Sequence, residues 1–359
     1  MRIAYIVEDF SICGGVERIV SQKAGLFASK GHDVTIISVY KDHRPVNYPV
    51  DKSVKIVFLD VPMAKKKDNR LITSFNRISV LIKATIKLNK AIKKIKPNVL
   101  FFTTTLGALL LPLCRTKATK IYESHLPRLF NPYNNFFSIM ERRADMIICL
   151  TEGDKMEYRH AKKVEIIPNF IDIPSLSVKD YNVKKAVAVG RLEHQKGFDI
   201  LIDCWKEVIR VFPDWHLDIY GEGSLKQELQ QQINFLGIND NITLCGHCDN
   251  MMEKYTEYSL HIMTSRYEGL PMTLIEAQAC ALPSVVFNFQ YGASDFIEDS
   301  VNGYLVRQND RVSLTKQLVY IMNDAALRMK QGKEARHKAL KFSKENIMHK
   351  WIELLNGLI

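Results

Sequence analysis

Two cations and two carboxylates stand at spacings that could do chemistry. Arg191 and Lys196 lie five positions apart on a stretch bounded by Gly190 and Gly197, and Glu268 and Glu276 lie eight apart. Paired cations on a short loop suit a diphosphate. A carboxylate can accept two hydrogen bonds from a vicinal diol. Together they suggest a ligand with both phosphate and hydroxyls, and a nucleotide sugar is one such ligand.

The elements that must position these groups can be read around them. Ser259 to Met263 is an apolar run with the character of a buried parallel strand. Gly269 and Pro271 break it, and Met272 to Cys280 continues as a helix, with Pro271 at its start. The first N–H groups of such a helix have no internal partners and suit an anion. Ala186 to Val189 is a strand that delivers the Gly190–Gly197 loop, and Phe198 to Phe212 is the following helix. His216 to Tyr220 is a strand ending at Gly221-Glu222-Gly223. Leu225 to Leu236 is a helix stopped by Gly237, and Ile242 to Cys245 is a strand ending at Gly246-His247. Pro283 to Val286 and Gly303 to Val306 complete the strands of this half.

Glu268-Gly269-Leu270-Pro271-Met272-Thr273-Leu274-Ile275-Glu276 resembles the E-x7-E signature of the retaining glycosyltransferases of family 4, which have the GT-B fold. Gly190-Arg191-Leu192-x-x-x-Lys196-Gly197 is similar to the diphosphate loop of that family. The resemblance implies that Arg191 and Lys196 grip the leaving nucleoside diphosphate and that Glu276 holds the ribose. It implies that Glu268 lies near the donor sugar ring, and that the backbone from Gly269 to Leu274 meets sugar hydroxyls and phosphates. Gly221, Glu222, Gly246 and His247 would wall the base.

The first half repeats the strand–helix logic. Arg2 to Val7 is a strand, and Val16 to Ser29 a helix ended by Gly31. Val34 to Tyr40, Val54 to Leu59, Val99 to Thr103, Lys120 to Glu123 and Met146 to Leu150 are further strands. Leu106 to Leu113 is a short apolar helix, and another helix precedes Met146. Such alternation means parallel sheets covered on both faces. The turn after the first strand is Cys13-Gly14-Gly15 and not G-x-G-x-x-G, which argues against a nicotinamide enzyme. Gly14-Gly15-Val16-Glu17 resembles the family's Gly-Gly-Ala-Glu loop, which implies contact of Gly14 and Gly15 with the donor diphosphate. His125, after the strand ending at Glu123, matches the family's histidine that contacts the donor sugar. Pro168-Asn169-Phe170-Ile171-Asp172 resembles the family's Pro-Asn-Gly-Val-Asp connection, with Phe170 where a residue able to take positive φ is expected.

The expected architecture is α/β: GT-B, two doubly wound parallel-sheet domains facing across a cleft. The expected divisions are an acceptor-binding domain over 1–168, a linker over 169–185, a nucleotide-sugar domain over 186–340, and a terminal segment over 341–359 that crosses back to the first domain. No Asp-x-Asp occurs, so no metal and no cofactor is expected. The resemblance implies retention of configuration by front-face substitution. The expected function is metal-independent transfer of a hexosyl or N-acetylhexosaminyl group from a nucleotide sugar, with UDP the expected carrier. The expected acceptor is a glycan or lipid-linked saccharide of bacterial surface polysaccharide assembly. The alternatives are a GT-B nucleotide-sugar epimerase and a non-catalytic nucleotide-sugar-binding protein.

Composition bounds the setting. The apolar and charged fractions, 47% and 25%, are those of an ordinary globular protein. No apolar run reaches transmembrane length, Met1 to Val7 is too short for a signal peptide, and seven scattered cysteines suit a reducing cytosol. Cys245-x-x-Cys248 has no second pair at zinc spacing and reads as structural. The net charge of +11 divides into +13 over residues 1–180 and −2 over 181–359. The stretch from Lys65 to Lys96 holds eleven Lys/Arg and one acid, Asp68. Its apolar residues, Leu71 to Ile95, form a broad helical stripe expected in the core, with Lys83, Lys87, Lys90 and Lys94 opposite. A cytoplasmic protein peripheral on the inner face of the membrane, held by this basic stretch at anionic lipid, is the expectation; no nucleic-acid partner is.

Overall fold

The computed structural model describes residues 1–12, 14–40, 46, 48–63, 70–130 and 134–358. Cys13, Lys65, Lys66, Lys67 and Asp68 therefore lie outside the described residues. The chain divides into two compact units. One comprises Met1–Leu150, Asp154–Ile167 and Leu354–Ile359; the other comprises Thr151–Gly153 and Pro168–Glu353.

The first unit holds seven strands: β1 (Arg2–Val7), β2 (Asp33–Ser38), β3 (Lys55–Phe58), β4 (Val99–Thr103), β5 (Thr119–Glu123), β6 (Met146–Cys149) and β7 (Val164–Ile166). They pair in parallel in the order β3-β2-β1-β4-β5-β6-β7. The five residues of β4 are all buried, as a strand covered on both faces must be. Right-handed crossovers place the helix Gly15–Ser29, between β1 and β2, on one face. There Phe27 packs with Tyr5 and Phe101, whose rings stack at 4.8 Å. The helices Arg70–Ile95, Thr104–Leu110 and Asn134–Arg143 return chain in the other direction and cover the opposite face. One core holds Ala84, Leu88, Leu110, Phe137 and Met140 together.

The second unit holds β8 (Lys185–Val189), β9 (His216–Tyr220), β10 (Ile242–Gly246), β11 (Leu260–Met263), β12 (Ser284–Asn288) and β13 (Gly303–Arg307). All pair in parallel, in the order β10-β9-β8-β11-β12-β13. Its core contains Trp205 and Trp215, and the Trp205 indole N–H donates to the Asn241 carbonyl at 3.0 Å. In each sheet the strand order reverses beside the first strand, between β1 and β4 and between β8 and β11. Ligands of doubly wound sheets bind at the carboxyl ends of the strands at such a point.

Several sequence expectations need correction. The stretch 169–185 is tied to the second unit. The Arg336 guanidinium donates to the carbonyls of Pro174 and Leu176, and that of Arg328 to Tyr181, while Phe170, Ile171 and Val178 are buried. Phe170 does not take positive φ; the non-glycine residues that do are Asp60, Lys96, Thr104, Ala281, Tyr291, Ser300 and Asn309. The helices Arg311–Met322 and Ala325–Ala339 were not anticipated, although Asp310 and Asp324 cap them by accepting from the N–H groups of Ser313 and Leu327. The final helix runs from Lys344 to Asn356.

The broad stripe on Arg70–Ile95 splits. Val80, Ala84, Leu88 and Ile92 are buried, whereas Ile78, Ile82 and Ile86 are exposed. Among the described residues no helix is long and apolar enough to cross a membrane. Cys245 and Cys248 are free, and the Cys245 thiol donates to Asp218 Oδ1.

Candidate functional site

The second unit's site is built at the carboxyl ends of β8 and β11. β8 ends at Val189, and Gly190 starts the loop by donating its N–H to the Tyr220 carbonyl at 2.9 Å. Lys196 closes a short turn, His194–Lys196, that Gly197 ends in the left-handed region at φ 66°. Gly197 also lies against the next loop, because a Cβ there would stand 2.2 Å from the Thr264 carbonyl oxygen. The Thr264 hydroxyl in turn donates to the Gly197 carbonyl at 3.0 Å. These contacts bring Lys196 Nζ to 2.6 Å from Glu268 Oε1, and the Ser265 hydroxyl donates to the same oxygen at 2.6 Å. Glu268 is buried, at 5% exposure, so it depends on these donors.

Gln195 is a member of this group that sequence reasoning missed. Its amide donates to the Tyr267 carbonyl at 2.9 Å and reaches Glu268 Oε2 at 3.4 Å. Its carbonyl lies 3.4 Å from the exposed Arg191 guanidinium. The signal was its place between the two loop cations. Arg266 is a second omission. Its guanidinium makes two hydrogen bonds to Asp199, at 2.9 and 2.7 Å, which fixes the β11 loop on the helix Phe198–Ile209.

The helix Met272–Ala279 starts at Pro271, without a side-chain cap. Leu270, Pro271 and Leu274 are buried, so what Gly269 to Leu274 can offer a ligand is chiefly backbone. The Thr273 hydroxyl is buried in the first turn without a hydrogen-bond partner. Glu276 lies one turn in, partly exposed. Its charge helps to hold the buried Tyr255 hydroxyl protonated, after burial itself. A phenol, a hydroxyl and a carboxylate thus share this helix start, since the Tyr255 hydroxyl donates to the Thr273 carbonyl at 3.1 Å.

Gly221 and Gly246 sit at the ends of β9 and β10 and are joined by a 2.8 Å backbone hydrogen bond from Gly221 to Gly246. Gly221 takes φ 143°, and a Cβ there would stand 1.8 Å from the Gly190 carbonyl oxygen. Glu222 is exposed and pairs with Lys226 at 3.1 Å. His247 is exposed and lies 3.1 Å from Asp249. His261, on β11, is a buried titratable group that the sequence reading did not single out. Burial first, and the Lys196 charge second, push its pKa down to about 3.

The first unit's expected residues are held separately. Gly14 has extended backbone and precedes the helix that starts at the exposed Gly15. The Glu17 carboxylate folds over Gly14, where a Cβ would stand 2.2 Å from Glu17 Oε2. Burial raises the pKa of Glu17 and of Glu8, with neighbouring acids adding to both. This end of β1 is therefore rich in carboxylates, which accept hydrogen bonds from hydroxyls. His125 follows β5, and its Nε2 lies 3.4 Å from Glu123 Oε1. Glu123 is itself ion-paired with the buried Lys23. Burial, then the Lys23 charge, lower the His125 pKa to about 3, so the ring is neutral near pH 7 and offers one donor and one acceptor.

Comparison with known proteins follows the same two-part division. Residues 13–174 match the family model described as Glycosyltransferase Family 4, and residues 172–338 match that described as Glycosyl transferases group 1. The chain is 29% identical over 378 residues to the amylovoran biosynthesis glycosyltransferase AmsD of Erwinia amylovora, covering 99% of each. It is 26% identical over 368 residues to a Campylobacter jejuni transferase, covering 99% of this chain and 98% of that one. The Campylobacter protein is named GalNAc-alpha-(1->4)-GalNAc-alpha-(1->3)-diNAcBac-PP-undecaprenol alpha-1,4-N-acetyl-D-galactosaminyltransferase. Among solved structures, TarM of S. aureus, crystallised with UDP, aligns with a TM-score of 0.80 at 17% identity over 99% of each chain.

Proposed function

Because the chain belongs to the family 4 glycosyltransferases, with a group 1 transferase domain in its second unit, we propose that it moves a sugar from a UDP-sugar to a glycan or lipid-linked saccharide in bacterial surface polysaccharide assembly. The observation that carries this reading is the grouping of Lys196, Gln195 and Glu268 where the strand order of the second sheet reverses. That position suits a nucleotide. Arg191 and Lys196 supply positive charge for the diphosphate, and the start of the helix Met272–Ala279, whose Met272 and Leu274 N–H groups donate to the Leu270 and Pro271 carbonyls, offers it the Thr273 N–H. Glu276 takes the ribose hydroxyls, and Glu268 lies beside the sugar ring.

The reaction is front-face substitution with retention. The bond from the anomeric carbon to the phosphate oxygen breaks, and the bond to the acceptor oxygen forms on the same face. The acceptor's proton passes to the departing phosphate oxygen. Fixed cations meet the charge that builds on the leaving group, a role that needs no metal ion. The carboxylates at the end of β1 suit the acceptor's hydroxyls, and neutral His125 suits a sugar hydroxyl.

The test is a panel of UDP-sugars assayed for nucleoside diphosphate release in the presence of a chelator, with and without a lipid-linked acceptor. Acceptor-stimulated release and an axial-to-axial anomeric outcome by NMR are expected for an α-linked donor. Interconversion of the donor without release would favour an epimerase. Binding without either would favour a non-catalytic protein. Loss of activity with chelator would remove the metal-independent step.

A further inference from the structure

We infer that Lys23 and Glu123 are a positioning pair for His125: they hold the ring proton on Nε2 and leave Nδ1 as the atom that accepts from a sugar hydroxyl. The inference rests on the reading of His125 as a contact for the donor sugar.

The register of the first sheet puts the pair together. Glu123, the last residue of β5, stands opposite Thr103 on β4, and Tyr5 on β1 stands opposite Phe101. Side chains alternate along a strand, so Glu123, Phe101 and Tyr5 point to the same face. The helix Gly15–Ser29 covers that face. Its Lys23 runs past Tyr5, with Nζ 5.7 Å from the ring centroid, and ion-pairs with Glu123 Oε1. The two side chains are 2% and 1% exposed. An ion pair so deep adds little to stability, because desolvation offsets the attraction, and apolar side chains would fill the same space. Its presence calls for another role.

That role lies at His125. Its Nε2 is 3.4 Å from the same Glu123 oxygen and is enclosed by protein without a regular hydrogen bond. A lone pair on Nε2 would face that oxygen and be repelled, whereas an N–H there is attracted. The proton of the neutral ring therefore rests on Nε2. The His125 side chain keeps 7% exposure, and Nε2 is enclosed. What the ring can offer a ligand is thus the rest of its edge, where Nδ1 carries the lone pair.

Lys23 sets the charge of that ring. A lone carboxylate beside an imidazole raises its pKa and favours the imidazolium, which has no lone pair for a hydroxyl. Here the ammonium cancels the carboxylate: burial first, and the Lys23 charge second, hold the His125 pKa down at about 3. Burial pushes the Lys23 pKa down as well, and contact with Glu123 gives the buried ammonium its counter-charge. Among the described residues Lys23 and Glu123 are the charged groups against the ring. The pair thus orients His125 without protonating it.

The experiment is 15N NMR of the full chain labelled at histidine, set beside UDP-sugar hydrolysis. The His125 signals, assigned by their loss in His125→Asn, should show the Nε2–H tautomer and no titration between about pH 8 and pH 5. Lys23→Met should raise the His125 pKa from about 3 to near the ordinary 6.5 or above, and hydrolysis should then fall as pH drops through the new value. That variant strands a buried carboxylate, so a second one guards against loss of the fold. Lys23→Met/Glu123→Met, an apolar pair of similar size, should fold and keep the ring neutral, with Nε2–H no longer favoured. It should lower kcat roughly tenfold, the worth of one hydrogen bond, and leave UDP binding by calorimetry unchanged. In a His125→Asn background the same replacement should cost no further turnover. An Nδ1–H tautomer in the wild type overturns the inference, and that measurement needs no variant. An unmoved His125 pKa in Lys23→Met overturns it too, as does full turnover of the double variant or an additive loss in the His125→Asn background. The tautomer and the titration are read without a donor, so failure of the proposed transfer reaction would show in hydrolysis alone.

Discussion

Lys196 Nζ lies 2.6 Å from Glu268 Oε1, although 72 residues separate the two in the chain. Both are largely withdrawn from water, with side-chain exposures of 13% and 7%. Arg191, on the same loop, is exposed, and its guanidinium lies 3.4 Å from the Gln195 side-chain carbonyl. The two cations should therefore fail differently when removed. Lys196→Ala leaves a buried carboxylate without its counter-charge and should lose both stability and turnover. Arg191→Ala should keep the wild-type melting temperature while raising the barrier by about 2–4 kcal/mol, as loss of a preorganised donor to a leaving group does. Melting curves beside donor-hydrolysis kinetics measure this. Full activity of Arg191→Ala would remove it from the diphosphate.

The two acids divide binding from turnover. Glu276 is partly exposed, one turn inside the helix Met272–Ala279, and on the proposed reading it holds a ribose that is bound alike before and during reaction. Glu276→Ala should chiefly weaken UDP binding. On the proposed reading Glu268 stands beside the sugar ring, where charge develops, so Glu268→Gln should chiefly lower kcat. Calorimetry with UDP alone separates the two. If Glu276→Ala binds UDP as the wild type does, the ribose is held elsewhere.

Gly197 sets the distance between the two loops. Its φ of 66° is a region that side chains occupy reluctantly, and a Cβ would press on the Thr264 carbonyl. Gly197→Ala should cost about 2 kcal/mol or more, from the left-handed conformation together with the displaced carbonyl. Because Lys196 is the preceding residue, the substitution should also lower donor turnover. A denaturant midpoint equal to that of the wild type would show that the loop yields without strain.

Much of this was legible because buried parallel strands read as short apolar runs and each delivers its chemistry at a glycine. Leu260–Met263 followed by Glu268, and Lys185–Val189 followed by Arg191 and Lys196, are both of that kind. What the sequence hid has a common cause: polar side chains put to structural use. Gln195 looked like loop filler between two cations. The helix Ala325–Ala339 buries Arg328 and Gln331, so no apolar stripe announced it. On Arg70–Ile95 the opposite held, for apolar residues occupy two sides, and periodicity alone could not say which side meets the sheet.

The buried histidines lose their stabilising contribution in acid. His125 and His261 titrate at about 3 in the folded chain, against an ordinary 6.5, because burial disfavours the imidazolium. Between those values the unfolded chain binds more protons, so the stability these two contribute is lost as pH falls from about 6.5 towards 3. Asp154 opposes them. Burial raises its pKa to about 6 from 3.8, although the Arg128 N–H and the Ser124 hydroxyl donate to it. In that window the folded chain holds the extra proton, so this contribution is present at low pH and lost as pH rises through about 6. Each proton of difference changes stability by about 1.4 kcal/mol per pH unit. Glu8, Glu17 and Asp295, whose pKa values burial also raises, add to Asp154 in opposing the two histidines. Asp154→Asn removes its share of that opposition, so on acidification from about pH 6 to pH 4 its denaturant midpoint should fall more steeply than that of the wild type. A variant profile no steeper than that of the wild type would deny the raised Asp154.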